Sequence, residues 1–370
     1  MLIQKFTTLF KDVTRQGTKI PKEEYLTHGK NIIIDQGQDI IAGYTNCEDG
    51  IFKKIPAIVF GDHTRIIKYV DTPFFLGADG VKVLKCTDKN ANYRYLYYAL
   101  KNAHIPNTGY NRHFKWLKEI TINYPDKNKQ NDIVNILDKL EYIIKIRSQE
   151  LDKFDELIKA RFVEMFGNYP NNEKSWPVGK IKDLVLDVRY GTSKKATDGT
   201  SGKYPYLRMN NITYDGNLNL SDLKTIDLPL EDLEKYTVQK GDLLFNRTNS
   251  RDLVGKTCVY DLDKTMVLAG FIIRVRLDTT VANPVFVSKF LNTGYSKLLL
   301  RTICKNASGQ SNINAKEMQD IKIYVPPISL QNEFANFVQQ VDKSKFENIV
   351  YLNKTLSMKI LGQLGDVFRD

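Results

Sequence analysis

Residues 109–125 read GYNRHFKWLKEITINYP and residues 310–326 read QSNINAKEMQDIKIYVP; laid one on the other at an offset of 201, they are one stretch occurring twice. Asn111 meets Asn312, Lys115 meets Lys316, Leu117 meets Met318, Ile120 meets Ile321, Ile122 meets Ile323 and Pro125 meets Pro326. Just beyond, Gln130-Asn131 meets Gln331-Asn332. A repeat of this period dictates the architecture before any single motif does.

The correspondence runs upstream in the same order, with offsets that drift as they do when insertions fall in loops. Gly17-Thr18 matches Gly191-Thr192, and the segments starting at Ala57, Ala78 and Tyr93 match those starting at Asp242, Ala269 and Pro284. Each copy has two parts. The first, 1–125 and 169–325, holds short β-branched and aromatic runs such as Ile32-Ile33-Ile34, Ile58-Val59-Phe60, Leu243-Leu244-Phe245 and Phe271 to Val275, bounded by Gly, Asn, Asp and Pro. That pattern predicts short strands joined by turns, with a helix over Tyr93–Lys101.

The second part changes period. Ile133, Leu137, Leu140, Ile144, Leu151, Phe154, Ile158 and Met165 follow a 4-3 spacing broken only at Arg147 and Arg161. This predicts a coiled-coil-like seam on one helix of about 36 residues, roughly 54 Å long at about 1.5 Å per residue. Gly167-Asn168 is its left-handed stop. After Pro326-Pro327, the residues Phe334, Val338, Val341, Ile349, Leu352, Leu356, Ile360 and Val367 form the counterpart. A long helix with one apolar stripe needs a partner, and the economical pairing sets the two helices antiparallel against each other. The expected fold is α+β: two mixed α/β globules (1–125 and 169–325) separated by two long antiparallel helices (126–168 and 326–370), related by an internal pseudo-twofold repeat.

The 370 residues carry 54 Lys+Arg against 43 Asp+Glu, a formal charge of +11, with 42% hydrophobic and 26% charged residues. This is the composition of a folded soluble chain of about two domains. No run approaches the roughly 18 apolar residues of a bilayer span, and Lys5 and Lys11 interrupt the N-terminus, so a cytoplasmic protein without a membrane partner is expected. Cys47, Cys86, Cys258 and Cys304 form no CxxC pair and the histidines no HxxxH pair, so neither disulfide framework nor zinc site is readable. The positive excess favours a polyanionic partner, because each cation placed at a phosphate releases a condensed counterion.

Catalytic patterns are missing from the sequence. Gly255-Lys256-Thr257 mimics the end of a phosphate-binding loop, but Ser250 stands where the first glycine is required. There is no GxGxxG, GxSxG, HExxH or Asn-Pro-Pro-aromatic tetrapeptide, and Asp126 lacks the downstream ExK of a nuclease. Polar clusters behind strand-like runs say more. Phe245-Asn246-Arg247-Thr248-Asn249-Ser250-Arg251, Tyr206 to Ile212 with Arg208, Asn210 and Asn211, and Ser308 to Asn314 with Gln310, Asn312 and Asn314 repeat one chemistry, joined by Lys194 and Lys195. Arginine and asparagine can bond bidentately to guanine and adenine edges, and Ser, Thr and Lys reach phosphates. Any one cluster alone reads more readily as a turn; together in one globule they favour DNA.

The first globule offers different side chains at the corresponding places: Gln36 and Gln38 within Asp35–Asp39, His63, Thr64 and Arg65 after Phe60, and Tyr110, Asn111 and Arg112. One scaffold with two readout surfaces implies two different half-sites. His63 and His113 read as hydrogen-bonding surface residues, since neither has a nucleophile partner.

On these residues the sequence resembles the DNA-specificity (S) subunit of type I restriction-modification systems, over nearly its whole length. Carrying the resemblance are the doubled globule-plus-helix plan, Gly191-Thr192-Ser193, Tyr206-Leu207-Arg208 before Asn210-Asn211-Ile212, Gly241-Asp242-Leu243-Leu244-Phe245-Asn246-Arg247, Gly309-Gln310 with Asn312-Ile313-Asn314, and Ile323-Tyr324-Val325-Pro326-Pro327 followed by Gln331. Val59-Phe60-Gly61-Asp62-His63-Thr64 also looks like a phrase common in that family's target-recognition domains. The resemblance implies that each globule is a target-recognition domain reading half of a bipartite double-stranded DNA site. The helices would be spacer and docking site for two methyltransferase subunits, which restriction subunits join. The chain itself would be non-catalytic and hold no cofactor, with S-adenosylmethionine, ATP and magnesium in the partners. The alternative is a non-catalytic coiled-coil adaptor whose globules bind RNA or protein.

Overall fold

The computed structural model describes residues 3–77, 79–109, 111–197, 201–307 and 309–368, and of 306, 307 and 351–368 the backbone alone. Ala78, Tyr110 and Ser308 lie outside the described residues, as do the side chains of Leu352, Leu356, Ile360 and Val367. The chain divides into two compact units, 1–147 with 350–370, and 148–349.

In the first unit, strands β1 (Ile3–Lys5) and β2 (Phe10–Asp12) flank the short helix α1 (Phe6–Leu9). Then come β3 (Asn31–Ile34), β4 (Gly43–Thr45), β5 (Ala57–Gly61), β6 (Ile67–Val70), β7 (Phe74–Leu76) and β8 (Val81–Cys86). Helices α2 (Tyr93–Lys101) and α3 (Phe114–Leu117), strand β9 (Thr121–Asn123) and the start of α4 (Lys127–Phe166) complete it. The sheets run β2-β8-β5-β6, β4-β3-β7 and β1-β9, with β3 and β7 parallel. Strand β5 is buried along its whole length because it is central in its sheet. Helix α2 covers the predicted residues, and Asn92 caps it by accepting from Arg94 and Tyr95 N–H.

The second unit repeats this plan. Its elements are β10 (Val178–Lys180), β11 (Val185–Tyr190), β12 (Tyr204–Leu207), β13 (Lys224–Ile226), α5 (Leu230–Tyr236), β14 (Thr237–Val238), β15 (Leu243–Asn246) and β16 (Thr248–Asn249). There follow β17 (Thr257–Val259), β18 (Met266–Leu268), β19 (Ile272–Leu277), α6 (Pro284–Leu291), α7 (Gly294–Ile303), β20 (Lys305–Ala307), β21 (Gln310–Asn312), α8 (Ala315–Gln319), β22 (Lys322–Tyr324) and the first part of α9 (Ile328–Phe368), whose residues from 350 on belong to the first unit. Sheet β11-β19-β15-β17 answers β2-β8-β5-β6, β10-β22 answers β1-β9, and the parallel pair β12·β18 answers β3·β7. The registers agree too: Phe60 faces Lys82 as Phe245 faces Ile273.

The repeat reaches single hydrogen bonds. The Gln130 side-chain oxygen accepts from Asn92 N–H at 3.0 Å, and that of Gln331 from Asn283 N–H at 2.9 Å. Their amide nitrogens donate to Pro125 O and Pro326 O, each at 2.8 Å. Asn92 and Asn283, the caps of α2 and α6, donate to Asn131 and Asn332, again each at 2.8 Å. The Gln-Asn pair seen twice in the sequence therefore fastens the first turn of each long helix to its globule.

The apolar stripe of α4 is not one continuous helix-to-helix seam. Val134, Leu137 and Leu140 are buried in the first unit's core with Tyr95 and Leu96, whereas Ile158, Phe162, Met165 and Phe166 are buried in the second's. Ile144, expected to be buried, is 38% exposed, and Tyr142, Ile143 and Ile146 are also exposed. The stripe serves two cores, one at each end. Within the second unit α4 and α9 run antiparallel: Arg161 pairs with Glu333 at 3.0 Å, and six residues earlier Asp155 pairs with Lys345, twelve later on α9. Arg161, read as a break in the stripe, instead clasps the two helices. Phe162, Phe166, Phe286 and Phe334 meet there with ring centroids 4.7–5.7 Å apart. Helix α4 ends as expected at Gly167, whose φ of 79° and N–H to Val163 O make a left-handed cap.

Candidate nucleic-acid interface

The largest gathering of expected contact residues sits where β15 leaves its sheet. Buried Phe245 ends the apolar run, and the next residues peel away as β16 to pair with β21, Thr248 opposite Asn312. Arg247 Nη2 donates to Asn312 Oδ1 at 3.0 Å, and Asn312 Nδ2 donates to Thr248 Oγ1 at 2.8 Å. The guanidinium lies 4.9 Å from the ring centroid of Tyr190, whose hydroxyl accepts from Ala315 N–H. Arg247 is half-buried and oriented from both sides.

Several neighbours thought to face outward do not. Asn246 is 0% exposed, its amide donating to Thr248 O and Phe271 O while its oxygen accepts from Asn249 Nδ2. Thr248 and Asn249 are buried beside it. Asn211, 1% exposed, accepts from Arg208 N–H at 2.8 Å and donates to Asn219 O at 2.8 Å. A buried amide whose groups are all bonded is framework, because pulling it out would strand its partners. Asn314 caps α8 through a reciprocal bond pair with Glu317.

The side chains left to face solvent are Lys194, Lys195, Asn210, Arg251 and Gln310, with Arg208 and Arg247 partly exposed. Lys194 pairs with Asp232 at 3.3 Å, and Arg251 donates to Arg301 O at 3.3 Å. Arg208 is held through Nη2 by Asp222 Oδ2 at 2.7 Å and by Asp222 O at 3.0 Å. Neither Asp222 nor Tyr190 was found from sequence. Tyr190 abuts the quoted Gly191-Thr192; Asp222, fourteen residues beyond Arg208, gave no signal.

In the first globule Gln36 is the organiser. Its amide donates to Asp79 O at 3.1 Å, its side-chain oxygen accepts from His63 N–H at 3.1 Å, and its carbonyl accepts from Thr64 Oγ1 at 2.7 Å. Gly80, at φ 92°, permits this, since a Cβ there would come within 2.6 Å of the glutamine side chain. The Asp79 carboxyl lies below the usual carboxylate range, first through its hydrogen bond from Lys19, then through the Lys19 charge and the nearby Arg112 and His63. Gln36, His63, Thr64 and Arg112 thus share one neighbourhood with Lys19 and Asp79, two residues the sequence reading missed.

Gln38, Asn111 and Arg112 are exposed, and Arg65 donates to Ile105 O at 3.2 Å. His113, expected on the surface, is 0% exposed: its N–H donates to Asp62 O, and its ring lies between Asp62 O and Thr108. Preceding a short helix, it is needed to close the loop.

Taken together, the geometry offers two separate sets of amides and cations on equivalent loops. Among the described residues, no group of three or more His, Cys, Asp or Glu gathers as a metal site, and no helix is long and apolar enough to cross a membrane.

Comparison with known proteins gives a consistent picture. Residues 8–154 and 173–357 match the family model of the type I restriction modification DNA specificity domain. A Methanocaldococcus jannaschii protein named as the MjaX type I restriction enzyme specificity subunit is 28% identical over 50% of this chain and 43% of its own length. The Escherichia coli EcoKI specificity subunit is 24% identical over 50% of this chain and 40% of its own. The E. coli EcoR124I/EcoR124II specificity subunit is 22% identical over 84% and 79%. The matched stretches thus span under half the length of the first two relatives. In structure, the S subunit of a type I system from M. genitalium superposes with a TM-score of 0.56 at 17% identity, covering 95% of this chain and 92% of that one, a likeness of fold.

Proposed function

Because the chain belongs to the family of type I restriction modification DNA specificity domains, we propose that it reads a bipartite, asymmetric double-stranded DNA sequence, one half with each globule. The two long helices set the distance between the halves and seat two methyltransferase subunits, with which restriction subunits assemble. In this reading the chain supplies recognition only. S-adenosylmethionine, ATP and magnesium act in the partner subunits.

The observation that carries the reading is the contrast between framework and loops. Strand registers, the Gln-Asn clasp and the helix starts coincide in both globules, while the polar side chains on equivalent loops differ: Gln36, His63 and Arg112 against Arg247, Asn312 and Arg208. A duplicated scaffold with unlike readout groups suits two unlike half-sites better than one repeated ligand. Gel-shift titration on randomised duplexes, with and without a methyltransferase partner, tests this. The expected result is a two-part sequence with a fixed gap, and methylation only when the partner is present. Binding without base preference, methyl transfer by the chain alone, or binding of RNA in place of duplex DNA would overturn it.

A further inference from the structure

The Gly255-Lys256-Thr257 motif, rejected above as a phosphate loop, has a different job. Gly255 takes a φ of 83°, and a Cβ there would lie 2.6 Å from Leu300. Thr257 is buried and donates to Gly255 O at 2.9 Å. Lys256, only 8% exposed, donates from Nζ to Met209 O at 3.0 Å and Ile212 O at 2.5 Å. Those carbonyls bracket the turn that presents exposed Asn210 beside Arg208.

The first globule has a counterpart. Lys68, 5% exposed, donates from Nζ to Asp39 O at 2.5 Å and lies 3.4 Å from Asp35 Oδ1. Asp35 and Asp39 bracket the loop that presents exposed Gln38. In each globule, then, a buried ammonium, within β6 in the first and immediately before β17 in the second, grips both ends of the loop following the β3 or β12 strand.

The two lysines are not copies of one position. Lys68 faces Val59, whose equivalent Leu244 faces Cys258, so Lys256 lies two residues before the place matching Lys68. Lys256 directly precedes β17 and its carbonyl still accepts from Asn246 N–H at 2.8 Å, so the extended pairing reaches it, and two residues along such a segment is the same face. The contact is therefore built twice, from neighbouring positions, toward the same loop. Burial pushes both ammonium groups below the ordinary lysine range, with Asp35 opposing the shift at Lys68. Burying a charge is costly, and a methionine of similar length would fill the space without that cost. Two such placements need a compensating role, and the role both share is to hold a loop.

We propose that Lys68 and Lys256 are positioning residues for sequence readout, each fixing the loop that aims one exposed amide, Gln38 or Asn210, at its half-site. The proposal rests on the DNA-reading function above. It makes the base preference of each half-site depend on a lysine that touches no DNA.

The test compares Lys68→Met and Lys256→Met with the unaltered full chain, assembled with its methyltransferase partner, on a library of duplexes randomised in one half-site at a time. Lys256→Met is expected to flatten base preference in the second globule's half-site by roughly five- to a hundred-fold, the range one bidentate base contact supplies, with the other half-site unchanged. Lys68→Met is expected to do the reverse. If both variants keep the base preferences of the unaltered chain and merely melt earlier, the lysines are structural and the proposal fails. Amide exchange on the free chains separates this outcome from failure of the function itself. Should the unaltered complex show no base preference, the DNA reading falls, and the tether is judged by exchange alone. It stands if Lys256→Met speeds exchange at 208–212 while β15 and β17 keep their protection, and it falls if those loop amides are unchanged.

Discussion

Asp62 in the first globule and Arg247 in the second stand at equivalent places, one residue past the ends of β5 and β15, where their N–H groups donate to Gly80 O and Phe271 O. Both carbonyls accept a bond from the returning loop, from His113 N–H at 2.8 Å and Ile313 N–H at 2.9 Å. Their side chains part company. Asp62 is buried and accepts from Phe114 N–H at 2.7 Å, ending a closed loop, whereas Arg247 stays half-exposed between Asn312 and Tyr190. Backbone geometry is what the duplication preserved, and side chains beyond the sheet edge are where the copies differ. A position is a candidate for readout when its backbone role is shared and its side chain is not.

The largest effect is expected from breaking the ruler between the two readers. Four residues inserted after Ile146 in α4 and four after Ile349 in α9 fall among exposed positions, sparing Leu137, Leu140 and Ile158, which serve the two cores. Each insertion adds about 6 Å, close to two base pairs at about 3.4 Å each. On the original spacing, one half-site should be lost, roughly 2–5 kcal/mol of the specific binding energy. Duplexes with halves one or two base pairs further apart should recover it. Gel-shift assays on a ladder of spacings check this; unchanged spacing with changed bases would remove the helices from the ruler's role.

Next come the clasps, where the globules should behave alike. Gln331 makes three bonds, to Asn283 N–H, Val281 O and Pro326 O, and Gln130 makes two of the same kind. Losing them leaves buried groups unpaired, so Gln331→Ala is expected to cost about 3 kcal/mol and Gln130→Ala about 2 kcal/mol. Urea denaturation measures both. A negligible cost at either residue would show that the clasp there does not hold its helix to the globule.

These two regions also show what could be read beforehand. The repeat, the strands centred on Ile58–Phe60 and Leu243–Phe245, helix Tyr93–Lys101 and the stop at Gly167 follow from local periodicity and from Pro, Gly and Asn punctuation, which a sequence displays openly. Which polar side chain turns inward does not. Asn246 is buried because Phe271, 25 residues on, presents a carbonyl to it, and Arg208 is held by Asp222 across a loop. Ile144 looked like seam because periodicity gives a stripe its phase but not its partner.

Among readout residues, Arg247→Ala is expected to cost roughly 1–3 kcal/mol on the cognate duplex, confined to the second globule's half-site. Arg208→Ala should act in the same half-site, and Asp222→Asn, by releasing Arg208, should shift affinity in the opposite direction. Competition binding against single-base variants reads this out. Equal weakening on cognate and random duplexes would mark the residue as a phosphate contact.

The smallest expected effect concerns the outer rungs. In the second globule Asp187 faces Arg276 across β11·β19, and its carboxylate receives Arg274 Nη2 at 2.6 Å and Arg189 Nε at 3.2 Å. In the first globule the equivalent rung sets Lys11 against Lys85, and Lys85 turns away to Pro56 O at 2.6 Å and the Tyr93 ring. Burial raises the Asp187 carboxyl, but the bonds and charges of Arg274 and Arg189 outweigh it, leaving a value below the ordinary carboxylate one. A depressed folded value means that the stabilisation is complete above the unfolded carboxyl value, about 3.9, and is lost as pH falls through the folded value. Lysines keep their charge over that range, so the Lys11–Lys85 rung contributes no such slope. Melting followed from pH 6 to pH 2 should therefore show a shallower acid decline in Asp187→Asn than in the unaltered chain, although the variant is less stable at neutral pH, where Arg274 has lost its counter-ion. Lys11→Met should leave the decline unchanged. If instead Lys11→Met flattened the curve and Asp187→Asn did not, acid sensitivity would belong to the first globule, and the difference between these two ladders would lie elsewhere than in their facing charges.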